Sequence, residues 1–263
     1  MKIIIYFFII SILIFSCADE NGGISYKSKK TYYNNSVDEN KNTDSDEFND
    51  SYIFKEGYIK TNDNINLYYR LFLKENSDGL IVLEHSYDSS LEEWGILIDT
   101  FLDLNYNLIL YDLRAHGKSQ ENNNDNKYTE MKNDLNLIID FAESENHNKF
   151  KNILFIANGV SANISLYNSD KLCDINSYFV LLSPDLEIQE GIAISEFNNY
   201  CENSSYLYLY SKKSFENINK NLYIYNYNNI ETFIDNTSNY EGINLLLNNS
   251  FFLFKTKNII NRK

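Results

Sequence analysis

Residues 151–165, KNILFIANGVSANIS, decide the fold. Ile153 to Ala157 is a continuous apolar run, as a strand buried on both faces requires. Asn158-Gly159-Val160 is a sharp turn, because glycine accepts backbone conformations closed to other residues. A helix opens through Ser161 to Leu166. The order is buried strand, tight turn, helix.

The same grammar extends outward from this unit. Upstream, Gly79 to Glu84 is a second apolar run, ending in LIVLEHS at residues 80–86. Ser89 or Ser90 can cap a helix in which Leu91, Trp94, Ile98 and Leu102 recur at helical spacing. Asn107 to Tyr111 is the next strand, and Asp112 to Ser119 (DLRAHGKS) the loop after it. Lys127 to Glu145 reads as a long helix with Leu135, Ile138, Ile139 and Ala142 on one face. Tyr52–Lys60 and Ile65–Leu73 flank Thr61-Asn62-Asp63-Asn64, a hairpin signal. Downstream, strands are expected at Tyr178–Leu182, Tyr206–Tyr210 and Leu222–Tyr227. Helices are expected at Ile192–Tyr200 and Tyr240–Ile260. Strands alternating with helices imply an α/β fold, a mainly parallel sheet covered on both faces.

Three stretches carry a family resemblance. NYNLILYDLRAHGKS at residues 105–119 resembles the "D-x-R-G-H-G-x-S" segment of the α/β-hydrolase superfamily, in its lysophospholipase and serine-aminopeptidase-like branch. LIVLEHS falls on that family's strand followed by His-Gly. ANGVSA at residues 157–162 falls on "G-H-S-x-G-G", the nucleophile elbow. The resemblance covers roughly residues 52–260. It implies an eight-stranded α/β-hydrolase fold, with little or no lid in the short interval from Asp185 to Tyr206.

The family's triad runs Ser, then Asp or Glu, then His along the chain. Laid on this sequence, the nucleophile position is Gly159, which has no atom to attack with. A rival register, G-x-S-x-N at residues 159–163, offers Ser161. The acid position after the strand at Tyr206 is Ser214; Asp185, after the preceding strand, is a rival. The histidine position, before the last helix, falls on Glu241, with Tyr240 as the alternative; Gly242 and Leu245-Leu246 match the family's "H-G-x-x-L-L" entry to that helix. The chain has 3 His, at His85, His116 and His147, all before the elbow. A carboxylate cannot serve as both general base and general acid near neutral pH unless its pKa is strongly raised.

The resemblance makes His85-Ser86 the loop that helps supply an oxyanion-hole N–H, with the Val160 N–H as the second donor. His85, Ser86 and Val160 are therefore expected to line a pocket, as an anion-binding nest that outlives catalysis. His116 falls on a structural loop of the family, and His147 lies in a polar stretch. Three dispersed histidines have no ligand-like spacing, so no metal and no cofactor is expected.

The first 17 residues, MKIIIYFFIISILIFSC, hold one lysine, a short apolar run and a small residue before Cys17. The run is too short to span a bilayer and matches a secretory h-region. Ile14-Phe15-Ser16-Cys17 resembles a bacterial lipobox, which makes Cys17 the lipid attachment point; a plain signal peptide or an uncleaved anchor is the alternative. Residues 18–50 are polar and read as a tether, unable to bury enough surface to offset ordering; the domain occupies 51–263. Cys173 and Cys201 each precede an expected strand by five residues, and export permits a bond between them. Two buried thiols is the other reading.

A net charge of -14 argues against nucleic acid as a partner. With 43% hydrophobic and 15% aromatic residues the chain has ample material for a core. Three readings of function stay open. The first is an exported, lipid-anchored pseudoenzyme that binds a small acyl or ester-like ligand or an envelope protein. The second is a working serine hydrolase using Ser161 or a rewired site. The third is a structural envelope lipoprotein.

Overall fold

The computed structural model describes residues 16–18, 24–26, 52–120, 127–185, 197, 199–218 and 229–261. Its strands are β1 (Ser16–Ala18), β2 (Ile24–Tyr26), β3 (Tyr52–Lys60), β4 (Asn66–Lys74), β5 (Leu80–Glu84), β6 (Asn107–Tyr111), β7 (Asn152–Asn158), β8 (Asn176–Leu182), β9 (Ser205–Ser211) and β10 (Ile230–Asp235). The helices are α1 (Ile98–Leu102), α2 (Lys127–Asn146), α3 (Val160–Asn168), α4 (Lys212–Ile218), α5 (Ile243–Asn248) and α6 (Ser250–Asn258), with 3-10 turns between some of them. The strands form one sheet in the order β1-β2-β3-β4-β6-β5-β7-β8-β9-β10. From β6 to β10 every pair is parallel, while β4 joins β3 and β6 antiparallel. Eight strands, β3 to β10, make the α/β-hydrolase sheet.

Strand periodicity divides the core into two layers. Ile153, Phe155 and Ala157 of β7, and Tyr206, Tyr208 and Tyr210 of β9, face α2 and α3, where Leu135, Ile138 and Ile164 meet them. Leu154 and Ile156 of β7, and Leu207 and Leu209 of β9, face the other way, onto Trp94, Phe101, Leu245 and Phe252. Both faces of the central strands are thus apolar, which is why these strands read as continuous hydrophobic runs. Aromatics supply much of the first layer: Phe155, Phe179 and Tyr206 stack across three strands with centroids 4.8 and 5.1 Å apart.

Several expectations are corrected. Beside the eight expected strands, β2 pairs antiparallel with β3 and β1 with β2. Ile24-Ser25-Tyr26 lies inside the stretch read as tether, and β3's open edge gives its backbone groups partners. The last described strand is Ile230–Asp235, in register with β9; the Leu222–Tyr227 expectation lies outside the described residues. The first helix begins as a 3-10 turn over Leu91–Leu97, where Gly95 weakens helical order. The single closing helix is two, because Asn249 is extended (φ -128°, ψ 96°) and its side chain caps α6 by accepting from the Phe252 N–H. The helix α4 was not anticipated. The expected helix at Ile192–Tyr200 and the lid question fall mostly outside the described residues. Among the described residues no helix is long and apolar enough to cross a membrane.

The Asp112–Ser119 loop is a structural knot. Asp112 accepts from the Leu91 N–H at 2.7 Å and the Lys118 N–H at 2.7 Å. Arg114, only 1% exposed, bridges Asp134 at 2.6 Å and Asp63 at 2.8 Å. Gly117 has φ +50°, and a Cβ there would collide with the Asp112 carboxylate. These demands explain why the segment stays recognisable.

Candidate functional site

The elbow between β7 and α3 is intact in backbone and empty in side chain. Gly159 ends the strand at φ 58°, ψ -123°, a conformation costly to residues with a side chain. A Cβ there would meet only the Ser86 Cβ, at 3.7 Å. The position combines a backbone that favours glycine with open space around it.

Ser161, the rival nucleophile, is fully buried in the first turn of α3. Its hydroxyl donates to the His85 carbonyl oxygen at 2.6 Å. It ties the helix to the end of β5 rather than facing a cleft.

His85 is also fully buried. Its Nε2 accepts from the Leu113 N–H at 3.0 Å, so Nδ1 carries the proton and donates to the Ser86 carbonyl at 2.6 Å. Burial pushes its pKa down, with the Ser86 contact opposing, and the ring is held neutral. The expectation that His85 lines an open pocket is corrected: both of its nitrogens are committed to backbone.

The expected anion nest is occupied from within. Glu93, on the 3-10 turn after β5, accepts from the Ser86 N–H at 3.1 Å and from the Ser86 hydroxyl at 2.8 Å. Its other oxygen accepts from the Asn158 amide. Asn158 is the residue before the elbow. The remaining donor, the Val160 N–H, belongs to the first residue of α3, where helix geometry provides no intrahelical partner. The carboxylate therefore lodges beside the elbow, on one of the two N–H groups expected to form the nest.

The positions set by resemblance for acid and histidine do come together. The Ser214 hydroxyl donates to Glu241 Oε1 at 3.0 Å. Gly242, at φ +57°, packs against Asn158, and its N–H donates to the Ser183 hydroxyl at 3.1 Å. Elbow, acid position and histidine position thus occupy one corner at the C-terminal ends of the parallel strands. Asp185, the rival acid, has its backbone held by Asn163: its N–H donates to Oδ1 at 2.9 Å, and its carbonyl accepts from Nδ2 at 2.6 Å.

His116 Nδ1 lies 2.9 Å from the Arg114 carbonyl, and its ring packs edge-on against Tyr87 at 4.7 Å. His147 terminates α2 with φ +58°. Cys173 and Cys201 form a disulfide with Cα atoms 5.3 Å apart. Cys17 lies in β1, and nothing around its side chain is described. No cluster of metal-ligating side chains occurs among the described residues. A surface cavity of about 350 Å³ lies between α2 and α3, lined by Lys132, Tyr167 and Phe197; its lining includes no elbow residue.

Sequence reading missed Glu93 and Asn158 as members of the site. Glu93 stands 65 positions from Asn158, and no local pattern links them. It also missed Glu84, fully buried beneath this corner, where Tyr111 and Ser165 donate to its carboxylate. Burial pushes its pKa up to about 7, against the pull of Ser165 and Tyr111. A Glu closing a buried strand was the available signal.

No protein-family model and no curated protein matches the sequence. Solved structures do. An esterase from Pyrococcus furiosus, Pf2001, superposes with a TM-score of 0.62 at 17% identity, over 80% of this chain and 91% of its own. The esterase EaEST from Exiguobacterium antarcticum gives 0.56 at 12%, over 77% and 98%. The Francisella virulence factor BioJ gives 0.56 at 12%, over 80% and 85%. The chain shares the α/β-hydrolase fold of these solved structures.

Proposed function

We propose that this chain is an exported, lipid-anchored protein that has lost the acyl-transfer chemistry of its fold and acts by binding at the cell envelope. The observation that supports it most is the elbow: Gly159 keeps the strained backbone of a nucleophile with no side chain on it. The rest of the machinery is changed in the same direction. Ser214 and Glu241 bond to each other where an acid and a histidine are expected, and no histidine follows the elbow in sequence. A hydroxyl facing a carboxylate has no group able to take a proton and return it near neutral pH. The binding role rests on the corner that remains, and an acyl or ester-like ligand or an envelope protein is its expected occupant.

One contact favours a second reading, a rewired hydrolase. The Ser86 hydroxyl donates to Glu93 at 2.8 Å, beside the vacated elbow. In that reading Ser86 attacks and Glu93 accepts its proton. Glu93 also accepts two further hydrogen bonds, from the Ser86 N–H and the Asn158 amide, so its oxygens are already engaged. Short-chain p-nitrophenyl ester turnover by the full chain tests the pair. Turnover at the buffer rate supports the binding protein. Turnover that disappears in Ser86→Ala establishes the rewired enzyme.

A further inference from the structure

The two edges of the sheet differ. At one end the short strands β1 and β2, three residues each, blunt the long strand β3. At the other end β10 is terminal, and no described strand pairs with its outer side. It presents six residues, Ile-Glu-Thr-Phe-Ile-Asp, with no Lys or Pro among them. Charged side chains, lysine above all, together with proline and shortness are the usual devices that keep an edge from pairing with another chain; β10 carries Glu231 and Asp235 but neither Lys nor Pro. Beside this edge runs α6, whose outer face exposes Phe251 (47%) and Phe254 (60%), with Leu247 (40%) on α5. Phe233 of β10 packs edge-on against Phe251 at 5.3 Å. A strand edge that no described strand covers and an exposed aromatic face are therefore contiguous.

We infer that β10 is an isologous interface, on which a second copy of this chain pairs its own β10 antiparallel about a two-fold axis through Thr232. The register follows from the side chains. Residues directly opposite in an antiparallel pair point to the same face, so the axis must pass through a residue. An axis through Phe233 sets Glu231 against Asp235, and an axis through Glu231 sets two glutamates together; like charges directly opposite are unfavourable. An axis through Thr232 instead pairs Ile230 with Ile234, Thr232 with Thr232, and Glu231 with Phe233. Apolar and threonine pairs are the favourable ones.

The charges on the flank agree with that register. Residues 243–263 hold no Asp or Glu, and Lys255 and Lys257 stand on α6. Lys255 lies 4.8 Å over the Phe233 ring and 3.8 Å from Glu231 of its own chain. Phe233 is the residue that faces the second copy's Glu231, so each Lys255 lies near both glutamates. Odd-numbered residues of β10 point toward α6, as the Phe233 contact shows, so the two α6 helices flank the seam on one face of a continuous sheet. Their phenylalanines then meet across the axis, as an isologous contact requires. This surface lies on the sheet edge, and its test is independent of the function proposed for the elbow.

The test uses the full-length chain in detergent micelles. Under oxidation, Thr232→Cys is expected to give a disulfide-linked dimer on a non-reducing gel, in excess of the wild-type chain and of Ile53→Cys, an exposed position on β3 that β2 already pairs. Thr232→Lys, which sets two ammonium groups on the axis, is expected to weaken self-association about tenfold or more by sedimentation. Its far-UV spectrum should be unchanged. A wild-type chain that sediments as a monomer overturns the proposal. So does Thr232→Cys cross-linking no better than Ile53→Cys. A monomer whose α6 amides become protected only on anionic vesicles would show that this face meets a membrane instead, and the dimer would be wrong.

Discussion

Gly159→Ser returns a hydroxyl to the elbow and separates backbone strain from lost chemistry. The glycine sits at φ 58°, ψ -123°, a region that costs other residues about 1–3 kcal/mol. The added Cβ meets no atom closer than the Ser86 Cβ at 3.7 Å, so there is no steric cost to add. Replacing glycine also restricts the unfolded chain, which returns about 0.4–1 kcal/mol. The net expectation is a loss of roughly 1–2 kcal/mol. At about 2–4 °C per kcal/mol for a domain of this size, thermal melting should fall by roughly 2–8 °C. The internal comparison is Gly242→Ser, where the same positive φ is joined by a Cβ 2.5 Å from the Asn158 side chain. Overpacking adds about 1–3 kcal/mol there. Melting of both variants, followed by circular dichroism, checks the order. If Gly159→Ser costs as much as Gly242→Ser, the elbow is not open space. If it is neutral or stabilising, the backbone is not in the strained conformation. Either result refutes the reasoning.

The same geometry sets further outcomes. Gly159→Ser combined with Ser214→Asp and Glu241→His should hydrolyse p-nitrophenyl acetate about 10²-fold faster than Gly159→Ser alone, at the lower end of what general acid–base catalysis contributes. Adding Glu93→Ala, which frees the Ser86 N–H, should raise that rate again; no gain in either step would show that the three positions do not converge. Ser161→Ala should lower stability by about 1–3 kcal/mol, because it leaves the buried His85 carbonyl without this donor, and should leave ester turnover unchanged. The pKa of Glu84 is raised in the folded chain to about 7 from an ordinary 4.5, so the folded state holds the proton more tightly. Its contribution is fully present below pH 4.5 and is lost as pH rises through 7, on the order of 3 kcal/mol. Denaturant midpoints of Glu84→Gln measured against wild type between about pH 4.5 and 8 should show the mutant losing less; parallel curves would contradict the assignment.

The central architecture was legible because buried parallel strands leave little choice of residue. Residues 80–84, 107–111 and 153–157 are apolar at every position except Glu84 and Asn107, each at the end of its run, and the runs end where the sheet ends. Asp112–Ser119 was legible because Asp112, Arg114 and Gly117 each satisfy a contact no other residue type meets. The C-terminal third was read less well. Ile230–Asp235 was passed over because its β propensity is weaker than that of the tyrosine-rich run at residues 222–227, yet it pairs along its whole length with β9. Register against a neighbouring strand is a property of the assembled sheet, and propensity does not report it. Asn249 splits the last helix through a cap that looks in sequence like one more polar residue.

In the site, residue types were legible and contacts were not. A missing histidine and a glycine at the elbow can be read from the chain alone. Ser214 and Glu241 were singled out by resemblance, and the hydrogen bond between them is visible only in the folded chain. Glu93 could not be found that way: its role exists only because the 3-10 turn after β5 folds back over Ser86 and Asn158. The buried ends of Ser161 and His85 were equally invisible, since sequence gives residue type but not which way a hydroxyl or a ring nitrogen points.

The most direct measurement is to react the full-length chain with a fluorophosphonate probe and to map any labelled residue by mass spectrometry. The account expects no labelling above a heat-denatured control, because the elbow carries no hydroxyl and Glu93, beside Ser86, is already engaged by further donors. Stoichiometric labelling at Ser86 or Ser161 would contradict it and would establish a serine hydrolase with an unfamiliar base.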